Sequence, residues 1–269
     1  MSTARSLIWP APDGSMYMPN GDHNPDMDIK MTIPIFVVHY TPLTDRKQHI
    51  LRQLADHGLK AEFVTAWDRE HITDFTFFDT TRISIRCISH LMKNCEVYRK
   101  MIRDNIPYAI VFDDDVCLAK DFNKIMNKTV KNLPPTFDIC YIGDICGFHI
   151  KETTPDTNVY LKSNKDGYVF TESGYIYAMG ASRGPAYVLT KACAQKIMSM
   201  FVPGYKIRRL GHDHWMNDVA REKDLKVYWS EPTFVCGGSD TNTFKSSLGH
   251  REWSNDPKHI TRYTEKARL

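Results

Sequence analysis

Asp113, Asp114 and Asp115 follow the apolar run Tyr108-Ala109-Ile110-Val111-Phe112 without a break, which places three carboxylates at the end of what reads as a buried strand. Three such charges repel one another unless a cation or solvent offsets them. Hard oxygen donors suit Mg²⁺ or Mn²⁺, and a substrate phosphate can share the ion. In an extended chain Asp113 and Asp115 face one way and Asp114 the other, so the expected ligand pair is Asp113-x-Asp115. An acidic surface turn is the plain alternative. The apolar strand behind the acids favours the metal, because it anchors them at a sheet end.

The elements that must position these acids are legible in the same way. Ile33-Pro34-Ile35-Phe36-Val37-Val38 reads as a first strand, and Thr44 to His57 as a helix with Ile50, Leu51 and Leu54 on its apolar side and Gly58 closing it. Ala61 to Val64 is a short second strand, which makes a β-α-β opening. Ile88 to Ile102 carries an apolar stripe at helical spacing. Further along come a helix over 122–131, a strand over 137–143, a strand over 186–190, a helix over 191–200 and a strand over 225–229. A long variable stretch from Asp144 to Asp166 is expected to loop over the site. Residues 1–31, with four prolines and several Asp and Asn, are expected to form an irregular extension ahead of a single domain over 32–269.

Composition limits the function. At 269 residues and 42% hydrophobic content the chain can bury a large core. Its 35 Lys and Arg against 32 Asp and Glu leave a formal charge of +3, too slight to argue for nucleic acid. The opening residues lack the apolar region of a secretory signal and no run reaches membrane-spanning length, so the expectation is a soluble, cytoplasmic protein. Seven cysteines without a Cys-x-x-Cys pair suit small buried hydrophobes better than zinc or disulfides.

Five segments in order carry a family likeness. They are Val37-Val38-His39-Tyr40 with Arg46, Cys87-Ile88-Ser89-His90, Val111-Phe112-Asp113-Asp114-Asp115-Val116, Ala186-Tyr187-Val188-Leu189-Thr190, and His212-Asp213-His214. Together they resemble glycosyltransferase family 25, which includes lipooligosaccharide sugar transferases and collagen galactosyltransferases. The likeness runs from about Pro34 to about Gly249. It implies an α/β GT-A-type sandwich with a mixed, mostly parallel central sheet, a nucleotide-sugar donor, a divalent metal and an inverting transfer. Asp113 stands where the family usually has Glu, and Asp115 matches.

On that basis Asp113 and Asp115 are the expected ligands of Mn²⁺ or Mg²⁺, with His250, His212 or His214 as candidates to complete the shell and His250 preferred. Asp114 either touches the donor or hydrogen-bonds within the turn. An inverting displacement needs a base for the acceptor hydroxyl. Asp213 is the candidate, and a helix cap is its plain alternative. His39, Tyr40, Thr41 and Arg46 are placed to meet base and phosphate, Trp67 and Asp68 to cover base or sugar, and Ser89 and His90 to border the donor. Ser89 as a helix cap, Trp67 as core and Lys93 as a solvated charge are the structural alternatives. The expected reaction moves a hexose, galactose or glucose, from a UDP-sugar to a glycan, a protein hydroxyl or a modified nucleic-acid base. A nucleotidyl or phosphoryl transferase and a silent carbohydrate-binding protein are the competing classes. The run Lys206-Ile207-Arg208-Arg209 reads first as a solvated face, and more sharply as a sign of an anionic acceptor.

Overall fold

The computed structural model of the chain describes residues 33–133, 136–144, 184–209, 211–231, 233–239 and 243–248, with short strand segments outside these ranges. The elements that build the site are β1 (Ile35–Val38), α1 (Thr44–Asp56), β2 (Glu62–Val64), α2 (Ile85–Arg103), β3 (Tyr108–Asp113), β4 (Val116–Leu118), α3 (Phe122–Asn132), β5 (Ile139–Tyr141) and β6 (Gly143–Asp144), followed by β7 (Ala186–Thr190), α4 (Lys191–Met198), α5 (His212–Glu222), β8 (Val227–Glu231) and β9 (Val235–Gly237). The central sheet runs β2-β1-β3-β7-β5-β8, and the two-residue strand Val159–Tyr160 extends it beyond β8. β2, β1 and β3 are mutually parallel, β5 and β8 are parallel, and β7 runs against both its neighbours. This is the mixed, mostly parallel α/β sandwich expected.

Strand composition explains the layering. Every residue of β1 is buried, Phe36 and Val38 in a cluster with α2, α4 and α5, Ile35 and Val37 in a second cluster with α1 and α3. A strand covered on both faces needs a continuous apolar run, and Ile-Phe-Val-Val supplies one. Ser84 caps α2 by accepting from the Cys87 amide, and Thr190 caps α4 by accepting from Cys193. Helix α2 therefore begins three residues before the expected Ile88, and Ser89 lies inside it rather than at its cap. Among the described residues, no helix is long and apolar enough to cross a membrane.

Register brings the chemistry to one edge. Val38 pairs with Asp113 and with Val64, so β1, β2 and β3 end level with one another. Ligands of open α/β sheets gather at this carboxyl edge. One expectation for α1 fails. Leu51 is exposed, while Arg46, His49 and Gln53 are buried beside Ile50 and Leu54. Their partners account for the inversion: His49 Nε2 donates to the Val116 carbonyl at 2.9 Å, Gln53 Oε1 accepts from the Leu118 amide at 3.0 Å, and Arg46 reaches the acids. The buried side of α1 grips the strand that follows Asp115.

That strand, β4, pairs with β9 in a small sheet completed by β6. β9 leads into Gly238, whose amide donates to the Asp115 carbonyl at 2.8 Å. A Cβ at Gly238 would stand 2.6 Å from that carbonyl oxygen and 2.8 Å from Phe244 Cδ2. Backbone cannot yield cheaply. Gly238→Ala is therefore expected to cost about 1–3 kcal/mol, the usual range for overpacking, and to displace Asp115. A thermal melt checks the first effect, and an unchanged midpoint would refute the close approach.

Candidate active site

The acidic turn is built around Arg46. Its Nη1 lies 2.9 Å from Asp114 Oδ1 and 3.2 Å from Asp115 Oδ2, and its Nη2 donates to the Lys245 carbonyl at 2.6 Å. The guanidinium also sits 5.4 Å from the Phe244 ring centre. His39 Nδ1 donates to the other oxygen of Asp114 at 2.8 Å. Burial pushes the Asp114 carboxyl up, but the His39 hydrogen bond and the Arg46 charge outweigh it and hold it below the ordinary range. Asp115 behaves oppositely. Burial raises it, and the charges of Asp113 and Asp114 keep it raised despite Arg46 and the Ser239 amide, 3.1 Å away. One arginine does not offset the triplet.

Asp113, more exposed, accepts from His90 Nε2 at 2.8 Å. Burial lowers the His90 pKa, yet the Asp113 charge and hydrogen bond prevail and raise it to about 9. His39 Nε2, on the far side of its ring, is buried and has no hydrogen-bond partner among the described residues.

The loop after β2 forms a second wall. Trp67 has φ of 69°, in the left-handed region that a bulky side chain enters only under constraint. Helix α2 supplies the constraint: Lys93 Nζ donates to the carbonyls of Thr65 at 3.0 Å and Ala66 at 2.8 Å, and Ser89 Oγ to that of Trp67 at 2.7 Å. Lys93 is 2% exposed and pairs with Asp68 at 2.6 Å, so the solvated-charge reading of Lys93 is wrong. Burial pushes the Asp68 carboxyl up, but hydrogen bonds from Lys93 and Thr41 bring it below its ordinary value. Tyr40 donates to Glu70, and the Arg69 guanidinium lies 3.9 Å from the Tyr40 ring centre. Lys93→Met is expected to cost about 1–3 kcal/mol for each buried partner left unsatisfied. A denaturant titration that returns the native midpoint would refute this anchoring.

Behind His90 runs a directional chain of hydrogen bonds. Asn94 Nδ2 donates to the His90 carbonyl at 2.9 Å, which leaves Asn94 Oδ1 to accept from Tyr187 at 2.6 Å. Tyr187 has then spent its proton, so Tyr98 donates to it at 2.7 Å, and His212 Nε2 must donate to Tyr98 at 2.9 Å. Burial lowers the His212 pKa despite Asp213, which suits a neutral ring protonated at Nε2. Its Nδ1 faces Asp213 Oδ1 at 3.9 Å. Asp213 stands in the first turn of α5, one residue inside it, while Gly211 occupies the cap, so the helix-cap alternative for Asp213 fails. Its charge is felt by His90 and by Cys87 at the start of α2.

The structure thus brings Asp113, Asp114, Asp115, His39, Tyr40, Thr41, Arg46, Trp67, Asp68, Ser89, His90 and Asp213 to one edge of the sheet. His212 is committed to Tyr98, and His214 is exposed. His250 and most of the stretch from Asp144 to Asp166 lie outside the described residues. Tyr98, Tyr187, Asn94 and Lys93 are the polar residues that the sequence reading missed or misjudged. Their signal was present: Asn94 and Lys93 interrupt the apolar stripe of α2, and Tyr187 interrupts an aliphatic strand.

The matching family model, "Glycosyltransferase family 25 (LPS biosynthesis protein)", spans residues 32–215, and the chain belongs to that family. No curated relative matches at a significant level. Among solved structures, a glycosyltransferase involved in the glycosylation of the major capsid of PBCV-1 is 11% identical, with 74% of this chain and 92% of that one covered and a TM-score of 0.31. The inositol-1-phosphate CTP transferase from T. maritima is 12% identical, with 87% and 77% covered and a TM-score of 0.38. A CMP:2-keto-3-deoxy-manno-octonic acid synthetase complexed with CTP is 9% identical, with 76% and 92% covered and a TM-score of 0.35.

Proposed function

We propose that this family member is a metal-dependent, inverting hexosyltransferase that moves galactose or glucose from a nucleoside diphosphate sugar, UDP-linked by preference, to an acceptor hydroxyl in a cytoplasmic setting. The observation that carries the reading is the convergence of the acidic turn, the ends of β1 and β2, and Asp213 on a single edge.

The donor set suits a hard divalent cation. The strand ends at Asp113, and Asp114 and Asp115 form a turn in which one guanidinium nitrogen of Arg46 contacts both, so the alternation expected of an extended chain does not hold. Asp113 and Asp115 still offer carboxylate oxygens, and Asp115 stays raised by burial and by its acidic neighbours, a charge imbalance that Mn²⁺ or Mg²⁺ would relieve. Among the described residues no group of three or more His, Cys, Asp or Glu forms a ready cage, so the remaining positions fall to donor oxygens, water and His250. When bound, the ion would stabilise negative charge on the departing diphosphate.

The chain's own residues do the rest. Arg46 and His39 fix Asp114 and with it the turn, which makes Asp114 a positioning group. Tyr40, Thr41 and Trp67 border the nucleotide, and Asp68, Ser89 and His90 hold that border in place. Asp213 takes the proton of the acceptor hydroxyl as its oxygen bonds to the anomeric carbon. The bond from that carbon to the diphosphate breaks, and the diphosphate leaves with the electron pair.

The test is a panel of UDP-, GDP- and CDP-sugars with Mn²⁺ or Mg²⁺, scored for the nucleotide released. The expected result is metal-dependent release of nucleoside diphosphate from UDP-galactose or UDP-glucose, lost in Asp115→Ala. Pyrophosphate as product would move the chain to the nucleotidyltransferases. Native turnover in Asp115→Ala would sink the metal assignment.

A further inference from the structure

Among the described residues every cysteine is buried as a thiol. Burial pushes the Cys95 thiol up to about 12 and raises those of Cys87 and Cys193, which keeps these three protonated and inert. Cys117 and Cys236 are placed differently. They are Cα partners across the antiparallel pair of β4 and β9, so their side chains leave the small sheet on the same side. Their thiols are in hydrogen-bond contact. The His49 ring lies beside them, with Nε2 3.8 Å from the Cys117 sulfur, and the Phe244 ring packs 5.1 Å from that imidazole.

The ladder sets their spacing. Ala119 donates to the Phe234 carbonyl at 3.0 Å and Gly238 to the Asp115 carbonyl at 2.8 Å, two residues to either side, so Cys117 and Cys236 fall at a hydrogen-bonded position between them. Partners at such a position have Cα atoms about 5.5 Å apart, inside the window of about 4.4–6.8 Å that a disulfide spans. Opposed Cβ atoms stand about 4.5–5.5 Å apart, and a disulfide draws them to about 3.5–4.5 Å, so the strands must close by up to about 1 Å. β6 holds β9 from its other side and resists that closure. A bond formed under such strain is readily reduced. It would sit directly behind the contact of the Gly238 amide with the Asp115 carbonyl, on both strands at once.

We propose that Cys117 and Cys236 are a reversible dithiol–disulfide site that, when oxidised, clamps β4 to β9 behind the acidic turn. The chemistry needs a two-electron oxidant small enough to reach buried thiols, and a peroxide is of that class. One cysteine, as its thiolate, attacks a peroxide oxygen. The O–O bond breaks, a sulfenic acid forms, and the hydroxide released takes up the thiol's proton as water. The second sulfur then attacks the sulfenic sulfur, the S–S bond forms, and the hydroxyl leaves with the second proton as another water. Two electrons pass from the sulfurs to the peroxide, and an added dithiol returns them. The loop closed, about 120 residues, is long, so the cross-link removes much freedom from the unfolded chain. The site uses the chain's thiols alone and stands whether or not the acidic turn carries a metal.

The test is peptide mapping by mass spectrometry of the folded full chain after hydrogen peroxide, with and without later dithiothreitol, together with thermal melts of the same samples. The expected result is a bridge between the Cys117 and Cys236 peptides, a melting midpoint raised by about 5 °C, and loss of both with dithiothreitol. Cys236→Ala should show neither the bridge nor the shift, and Cys117→Ala supplies the same control if the first variant does not fold. Sulfinic acid at either cysteine without a bridge overturns the proposal, and so does a bridge from either one to another cysteine, Cys146 included. Thiols left unmodified in the folded chain overturn it as well, because a pair closed to peroxide is a packing pair. A bridge that leaves the midpoint unchanged or lowers it refutes the clamp.

Discussion

Arg46→Ala is expected to lower the melting temperature by about 10 °C. The guanidinium is 5% exposed and faces two carboxylates that are themselves buried. Removing one partner of a buried ion cluster costs about 3–5 kcal/mol, because the charges left behind stay out of water. In a domain of this size each kcal/mol moves the midpoint by about 2–4 °C. The variant also releases the Lys245 carbonyl and the Phe244 ring, which freezes the segment after β9 against the turn in the native chain. Arg46→Lys keeps the charge, but one ammonium lacks the fork that reaches Asp114, Asp115 and Lys245 together, and it should fall between the two. The pH dependence has a definite sign. Asp114 titrates below its unfolded value, so its contribution is present above about pH 4 and is lost as pH falls through the folded pKa. Without Arg46 that contribution shrinks, so native chain and variant should differ most near neutrality and converge in acid. Equal midpoints at pH 7 would mean that Arg46 does not hold the turn.

The central strands of the sheet were readable because they are buried on both faces and so appear as uninterrupted apolar runs, Ile35 to Val38 and Ala109 to Phe112 being the clearest. Their level ends followed from the β-α-β order. Harder to read were buried polar side chains, since burial and polarity point opposite ways in a sequence. Arg46, His49 and Gln53 look like the solvated side of α1 and are its buried side, because β4 offers them carbonyls and an amide that only the fold brings near. Lys93 follows the same logic with Thr65, Ala66 and Asp68. The acids suggested a cation, and part of that cation is the protein's own arginine. No spacing rule links Arg46 to Asp114, 68 positions away.

Asp213→Asn is expected to lower kcat by about 10²–10⁴-fold, the usual worth of a positioned general base. Three observations set this outcome apart from a structural one. First, Asp213 is 42% exposed at its side chain, so the amide costs little on burial grounds. Second, it sits in the first turn of α5 without capping it, where its charge favours the helix by about 0.3–1 kcal/mol at most. Third, the chain from Asn94 through Tyr187 and Tyr98 commits the proton of His212 to Nε2, which turns an unprotonated Nδ1 toward Asp213. A neutral imidazole there places no formal charge beside the carboxylate. The catalytic role predicts a collapse of kcat with donor KM and melting temperature nearly unchanged. A role confined to the helix terminus predicts the reverse, a midpoint lowered by a degree or two and kcat within about twofold of native. Steady-state kinetics and a melt on the same preparation separate them, and near-native kcat would move the base elsewhere on the sheet edge.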